Sequence, residues 1–174
     1  SEKYLKLLCK HHVSGQLKVA PEHTSDYVLK LMNKPSFSVY EKFAARFRKI
    51  NKELNKKQYL VNYFISAHPG SNLEATCQMA IFLAHKKIRP EQIQDFIPLP
   101  MTISSCMYYT GKHPFTNEHV YVARDDREIR MQRALIQSSQ PQNKALVLEA
   151  LKKLDKMHLQ PVLLQGTVKS VPYI

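Results

Sequence analysis

The sequence predicts an α/β fold in which parallel strands are joined by helical crossovers and followed by a mainly helical extension. Three observations carry this. Apolar runs of strand length recur at 16–20, 58–65 and 93–97, each closed by proline or a Pro-Gly turn. Segments with helical spacing of apolar residues lie between them. After Pro100 the strand-type runs give way to helical ones. Strands separated by helices imply a parallel sheet with right-handed crossovers.

In chain order, residues 3–12 read as a helix, broken at Ser14-Gly15. Gln16 to Ala20 is a short strand that Pro21 ends, because proline cannot donate to a sheet ladder. Thr24, Ser25 and Asp26 offer caps for a short helix through Met32, and Pro35 stops it. Ser38 and Glu41 have the S-x-x-E spacing of a capping box and open a basic amphipathic helix to about Leu54.

The most informative run is YLVNYFISAHPGSNLE, Tyr59 to Glu74. Leu60, Val61, Tyr63, Phe64 and Ile65 form the near-continuous apolar stretch expected of a strand covered on both faces. Pro69 and Gly70 mark a turn, and Ser71 with Glu74 repeats the S-x-x-E spacing before a helix expected from Asn72 to about Lys87. Ile93 to Ile97 is the third strand, closed by Pro98 and Pro100. Asp95 within it is unusual: it needs partners if it points inward, or an exposed edge.

Downstream, Thr102 to Tyr109 suits a short helix with Gly111 as its stop. His113 to Val122 suits a hairpin around Thr116-Asn117. Asp125 or Asp126 caps a helix through about Gln137, and Asn143 caps a last helix to about Met157. Residues 159–174 lack periodicity and are expected to trail over the surface or be disordered. The change of character divides the chain into a first unit at 1–100 and an extension at 101–174.

With 174 residues, 44% apolar and 23% charged, the chain suits one globular domain, or a core with an appendage. No apolar run approaches the ~20 residues of a membrane span, and no signal peptide opens the chain. Cys9, Cys77 and Cys106 lie far apart, which argues for a reducing, cytoplasmic setting and against a metal site built from them. The net charge of +12 favours anionic partners. Lys42, Arg46, Arg48, Lys49, Lys52, Lys56 and Lys57 make 42–57 a candidate RNA-binding helix. A solvated face competes with that reading, since no known nucleic-acid motif accompanies the charges. Three strands with no return strand make an unusual complete fold, for a closed barrel takes eight units and ~250 residues. The chain therefore reads as part of something larger, with open sheet edges through which it could form a homo-oligomer.

Five stretches, in order, carry a family resemblance: GQLKVAPEHTSDYVLKLMNKP (15–35), KQYLVNYFISAHPGSNLE (57–74), IRPEQIQDFIPLPMT (88–102), CMYYTGKHPFT (106–116) and VYVARDDREIRMQRALIQ (120–137). Together they resemble the YgiQ-like branch of the radical S-adenosylmethionine (radical SAM) superfamily. The resemblance implies the second half of a partial (β/α)6 TIM-like barrel. Its fourth, fifth and sixth strands would be those at 16–20, 58–65 and 92–97, followed by a family-specific extension. It also implies S-adenosylmethionine and a 4Fe-4S cluster that together generate a 5′-deoxyadenosyl radical. In such enzymes the cluster sits on a C-x3-C-x2-C loop after the first strand, and this sequence has no such motif. The resemblance therefore places the cluster ligands upstream, in an oxygen-sensitive parent enzyme, and the isolated chain is expected to assemble no cluster.

The resemblance assigns cofactor contacts residue by residue. Glu22 and Ser25, after the fourth strand, would reach the ribose or methionyl part of S-adenosylmethionine, although Ser25 also suits a helix cap. His23 is expected to be an exposed loop histidine. Ser66, His68 and Gly70, after the fifth strand, would lie on the adenine side, in a variant of the G-x-I-x-G-x-x-E region that lacks its first glycine. His68 could instead carry a proton or hold substrate. Phe96 and Ile97, at the sixth strand, would contact adenine. The resemblance assigns no catalytic residue, and Tyr108 and Tyr109 beside Cys106 suit packing of the extension. Two readings from other classes stand beside this one: an RNA-binding module through 42–57, and a protein-docking role for 101–174.

Overall fold

The structure, a computed structural model, describes residues 2–90 and 92–164. Three strands, β1 (Gln16–Glu22), β2 (Tyr59–Ser66) and β3 (Gln94–Asp95), form one parallel sheet in sequence order. Leu17 pairs with Leu60, and Ile65 with Gln94. The β1–β2 register shifts between Val19 and Glu22, where Pro21 has no N–H for the ladder. Helix α1 (Glu2–His11) precedes β1. Helices α2 (Asp26–Leu31) and α3 (Phe37–Glu53) cross from β1 to β2, and α4 (Leu73–His85) crosses from β2 to β3. Beyond the sheet come α5 (Ile103–Thr110), α6 (Asp126–Ile136), α7 (Lys144–Lys153) and α8 (Gln160–Leu164).

The core is organised around α4, whose sequence LEATCQMAIFLAH is apolar on nearly every side. Such a helix is stable only when covered all round. Met79, Phe82 and Leu83 pack with Phe64, Leu29, Phe37 and Ile93 on the sheet side. Cys77, Ala80 and Ile81 pack with Met131 and Leu135 of α6, Val147 and Leu151 of α7, and Leu159 and Leu163. Separately, α1 places Leu5 and Cys9 on Phe47 and Ile50 of α3.

Several expectations need correction. β2 is buried at Phe64 and Ser66 but only half-buried from Leu60 to Tyr63, so it is not covered on both faces. The third strand has two residues rather than five, although Phe96 N still donates to Ser66 O at 2.9 Å. Neither S-x-x-E box forms. Asn72, not Ser71, caps α4, its side chain accepting from Ala75 N at 2.8 Å. Ser36 occupies the N-cap of α3 and its hydroxyl meets that of Ser38, while Glu41 lies 3.9 Å from Lys86. Asn143 donates to Gln137 O instead of capping α7. The expected hairpin is reduced to one antiparallel bridge, Lys112 with His119. The helix expected to reach Met157 ends at Lys153, and the chain then re-enters helix as α8. Leu159, Val162 and Leu163 are buried, so 159–164 is core and not a trailing tail. The remainder of that tail, 165–174, lies outside the described residues. Asp125 and Gly111 behave as expected, a side-chain cap and a left-handed helix stop, while Thr102, expected as the first residue of its helix, caps it instead. Among the described residues no helix is long and apolar enough to cross a membrane.

Candidate functional site

Parallel strands all end on the same side of a sheet, and ligands of α/β folds collect there. A cleft of about 250 Å³ opens at those ends. Glu22 enters it from β1, His68 from the loop after β2, Phe96 and Ile97 from beyond β3, and Thr102 and Ser104 from the start of α5. Larger clefts lie away from the strand ends: one of about 330 Å³ between β1 and α3 is mainly apolar, one of about 520 Å³ is lined by Lys18, Asn62 and Arg89, and one of about 540 Å³ by Ser25, Glu41 and Lys86. The strand-end cleft is the better candidate because it gathers titratable groups from successive strands.

Glu22 adopts a left-handed backbone, φ 64°, which costs a non-glycine residue about 1–3 kcal/mol. Its carboxylate lies 2.9 Å from Lys34 Nζ, which also donates to Ala20 O at 2.8 Å. Lysine thus ties the side chain to the end of its own strand. Ala67 is left-handed too, φ 56°, and turns the chain sharply after β2 so that His68 reaches the cleft.

His68 is 3% exposed. Its Nδ1 lies 2.8 Å from Pro69 O, which can only accept, so Nδ1 carries the proton. Nε2 is then an acceptor, 2.8 Å from the Ser104 hydroxyl. Burial holds its pKa below the usual imidazole value, against opposing pulls from the Pro69 carbonyl and Glu22. The ring meets Phe96 edge to face, centroids 5.0 Å apart. Phe96 contacts Tyr108 at 5.7 Å, and the Arg124 guanidinium lies 5.2 Å over Tyr108. Ile97, 60% exposed, forms the rim.

Glu22, His68, Phe96 and Ile97, all expected at the site, therefore come together. Ser25, Ser66 and Gly70 do not line the cleft. Ser25 faces a separate groove with Phe37, Gln78 and Phe82. Ser66 is fully buried and donates its hydroxyl to Asp95, whose other oxygen lies 2.5 Å from Arg133 Nη1. Asp95, half-buried, thus has a buried hydroxyl on one oxygen and a partly exposed guanidinium on the other. Gly70 holds φ 92° beneath Leu31 and Tyr27, and its N–H donates to Tyr121 O at 2.7 Å.

His23 is fully buried, which corrects the expectation of an exposed loop histidine. Nδ1 accepts from Ser25 N at 2.9 Å, so Nε2 donates to Ser71 Oγ at 3.2 Å. Burial, with repulsion from His68, pushes its pKa down to about 4. Ser71 Oγ in turn donates to Gln132 Oε1 at 3.0 Å. That oxygen also accepts from Ala67 N at 3.1 Å, and Thr76 Oγ1 lies 3.0 Å away. Gln132 Nε2 donates to Ser71 O at 3.0 Å and to Glu128 at 3.2 Å.

Ser104 and Gln132 were missed from the sequence. Gln132 did leave a signal: it lies beside Met131, Ala134 and Leu135, a polar residue on the buried side of an amphipathic helix. Ser104 left none. Cys9 and Cys77 are buried and Cys106 is exposed. Among the described residues no three His, Cys, Asp or Glu side chains gather as a metal site. In the basic 42–57 stretch, Lys56 donates to the carbonyls of Cys9 and Lys10, and Lys49 approaches Glu53.

Residues 91–160 match the family described as "Domain of unknown function (DUF3362)". A UPF0313 protein of Methanosarcina mazei is 52% identical over 158 residues, 91% of this chain and 25% of the relative. One from Clostridium botulinum is 47% identical over 173 residues, 99% of this chain and 27% of the relative. Its homologues are UPF0313 proteins. A further UPF0313 protein, from Methanocella arvoryzae, is 51% identical over 150 residues, 86% of this chain and 25% of the relative. The chain spans about a quarter of the length of these UPF0313 relatives. The DUF3362 match covers Phe96, Thr102, Ser104 and Gln132, so the segment without assigned function supplies one side of the cleft.

Proposed function

We propose that this chain forms one wall of the S-adenosylmethionine pocket in a YgiQ-like radical SAM enzyme, as the second half of a partial (β/α)6 barrel. The observation that supports it most is the convergence of Glu22, His68 and Phe96, from three successive parallel strands, on one cleft. The residues suit the nucleoside. A carboxylate steadied by Lys34 can accept from ribose hydroxyls, and the Phe96 ring and exposed Ile97 offer an apolar surface for adenine. Neutral His68, both of its nitrogens engaged by Pro69 O and Ser104, forms part of the cleft wall and positions Phe96 without adding charge.

The residues do not suit the iron–sulfur cluster. Two of the three thiols are buried, and the Cys77 thiol is pushed up to about 11 by burial, the opposite of what a thiolate ligand needs. The cluster ligands of this reading would belong to another part of a full-length protein. This chain's task is to bind and orient the nucleoside and exclude water. Such an enzyme would be oxygen-sensitive and cytoplasmic. An RNA surface at 42–57 has less support, because Lys56 is engaged by the carbonyls of Cys9 and Lys10 and Phe47 is buried against α1 rather than free to stack on bases.

The test is anaerobic reconstitution of a full-length protein carrying this segment, read by electron paramagnetic resonance and calorimetry. Cluster formation and S-adenosylmethionine binding are expected, with binding weakened roughly tenfold or more in Glu22→Gln and Phe96→Ala. Residues 1–174 alone should take up no stoichiometric cluster. A full-length protein that binds neither group overturns the reading.

A further inference from the structure

The segment 91–160 is fastened to the cleft by two side chains that reach back across the chain. Gln132, fully buried on α6, grips the loop after β2 at three points. Its Oε1 accepts from Ala67 N and Ser71 Oγ, and its Nε2 donates to Ser71 O. Glu128 accepts from the same Nε2 at 3.2 Å and from Tyr121 OH at 2.6 Å, which fixes the amide's orientation. Ser104, at the start of α5, donates to His68 Nε2 from the side. A buried amide with donors and acceptors both matched admits essentially one loop conformation, since any other leaves polar groups unpaired.

We propose that residues 91–160 act as a clamp that shapes the strand-end cleft, with Gln132 and Ser104 as positioning residues for the Ala67–Ser71 loop and the His68 ring. Gln132 holds the left-handed turn at Ala67, which aims His68 into the cleft. Ser104 holds the imidazole with its acceptor nitrogen engaged and its edge against Phe96. The clamp assigns a role to the segment that matches the domain of unknown function. Its ligand, S-adenosylmethionine, rests on the function proposed above; the clamp itself does not.

The test uses the full-length protein with Gln132→Met, which keeps the side chain's length and removes every polar contact, beside Gln132→Glu and Ser104→Ala. Leu151→Ala serves as a control that disturbs the same segment's core without touching the loop. Hydrogen exchange followed by mass spectrometry should rise in peptides covering 66–72 in Gln132→Met and stay near wild type there in Leu151→Ala. S-adenosylmethionine affinity should fall roughly tenfold in Gln132→Met and less in Ser104→Ala, as for supporting contacts in other sites. Gln132→Glu, which keeps an acceptor but sets a buried carboxylate against Glu128 and Ser71 O, should lose protection at 66–72 as well. Affinity that tracks melting temperature equally in Gln132→Met and Leu151→Ala overturns the clamp, as does unchanged exchange at 66–72. If the wild type binds no S-adenosylmethionine, the functional reading fails, and the exchange measurement still decides the clamp.

Discussion

His23 Nε2 lies 3.2 Å from Ser71 Oγ, and neither side chain is exposed. This contact joins the segment after β1 to the loop after β2 and feeds directly into Gln132. A buried neutral imidazole here acts as a spacer of fixed polarity, accepting from Ser25 N on one side and donating on the other. Protonation would give Nδ1 a hydrogen facing an N–H donor, and the contact would break.

Stability should therefore depend on pH through His23. Its pKa is lowered from 6.5 to about 4 on folding, so the unfolded chain binds the proton more tightly. The contribution is complete above about pH 6.5 and is lost progressively as pH falls toward 4. On this basis it is on the order of 3 kcal/mol. His68 shifts in the same direction and adds to the slope. Urea midpoints measured from pH 7 to pH 4 should fall steadily, and His23→Gln should flatten that curve. An unchanged slope in the variant would assign the effect to other groups.

Gly70 should not tolerate a side chain. Its φ of 92° is unfavourable for L-residues, and a β-carbon would run into Leu31 and crowd Tyr27. Gly70→Ala is expected to cost about 1–3 kcal/mol, measured by chemical denaturation. A variant as stable as the wild type would mean that α2 shifts freely against the loop.

Leu163 tests whether α8 belongs to the core. It is 3% exposed and packs in the cluster that includes Cys77, Leu135 and Leu151. Leu163→Ala should destabilise by about 2–5 kcal/mol, the range for emptying a packed leucine site. A loss below about 0.5 kcal/mol, as for a surface residue, would return 160–164 to the status of a tail.

Thiol chemistry offers an independent check on packing. Cys106 is exposed while Cys9 and Cys77 are buried. Burial also raises the pKa of both buried thiols, which suppresses the reactive thiolate. A bulky maleimide applied to the native protein should modify Cys106 within minutes and the other two only after denaturant. Rapid native labelling at Cys77, read by peptide mass, would contradict the sandwiching of α4.

What the sequence determined by itself is the order β-α-β-α-β and the start and stop signals acting within one turn. Asp125 caps by accepting from Arg127 N, and Gly111 stops its helix in the left-handed region. These are legible because both partners lie within a few residues, where propensity and spacing decide the outcome. Glu22, His68 and Phe96 were named only through the family resemblance; the pattern of strands by itself pointed no further than the shared strand ends on which they converge. Tertiary structure decided the rest. Ser71 had the spacing of a cap, but its hydroxyl found Gln132, 61 positions away, and left the cap to Asn72. His23 looked like a loop residue and became fully buried, because Ser25 and Ser71 satisfied both of its nitrogens. A buried polar group goes wherever its hydrogen bonds can be completed, and the partner that completes them is chosen by packing across the fold rather than by nearness along the chain.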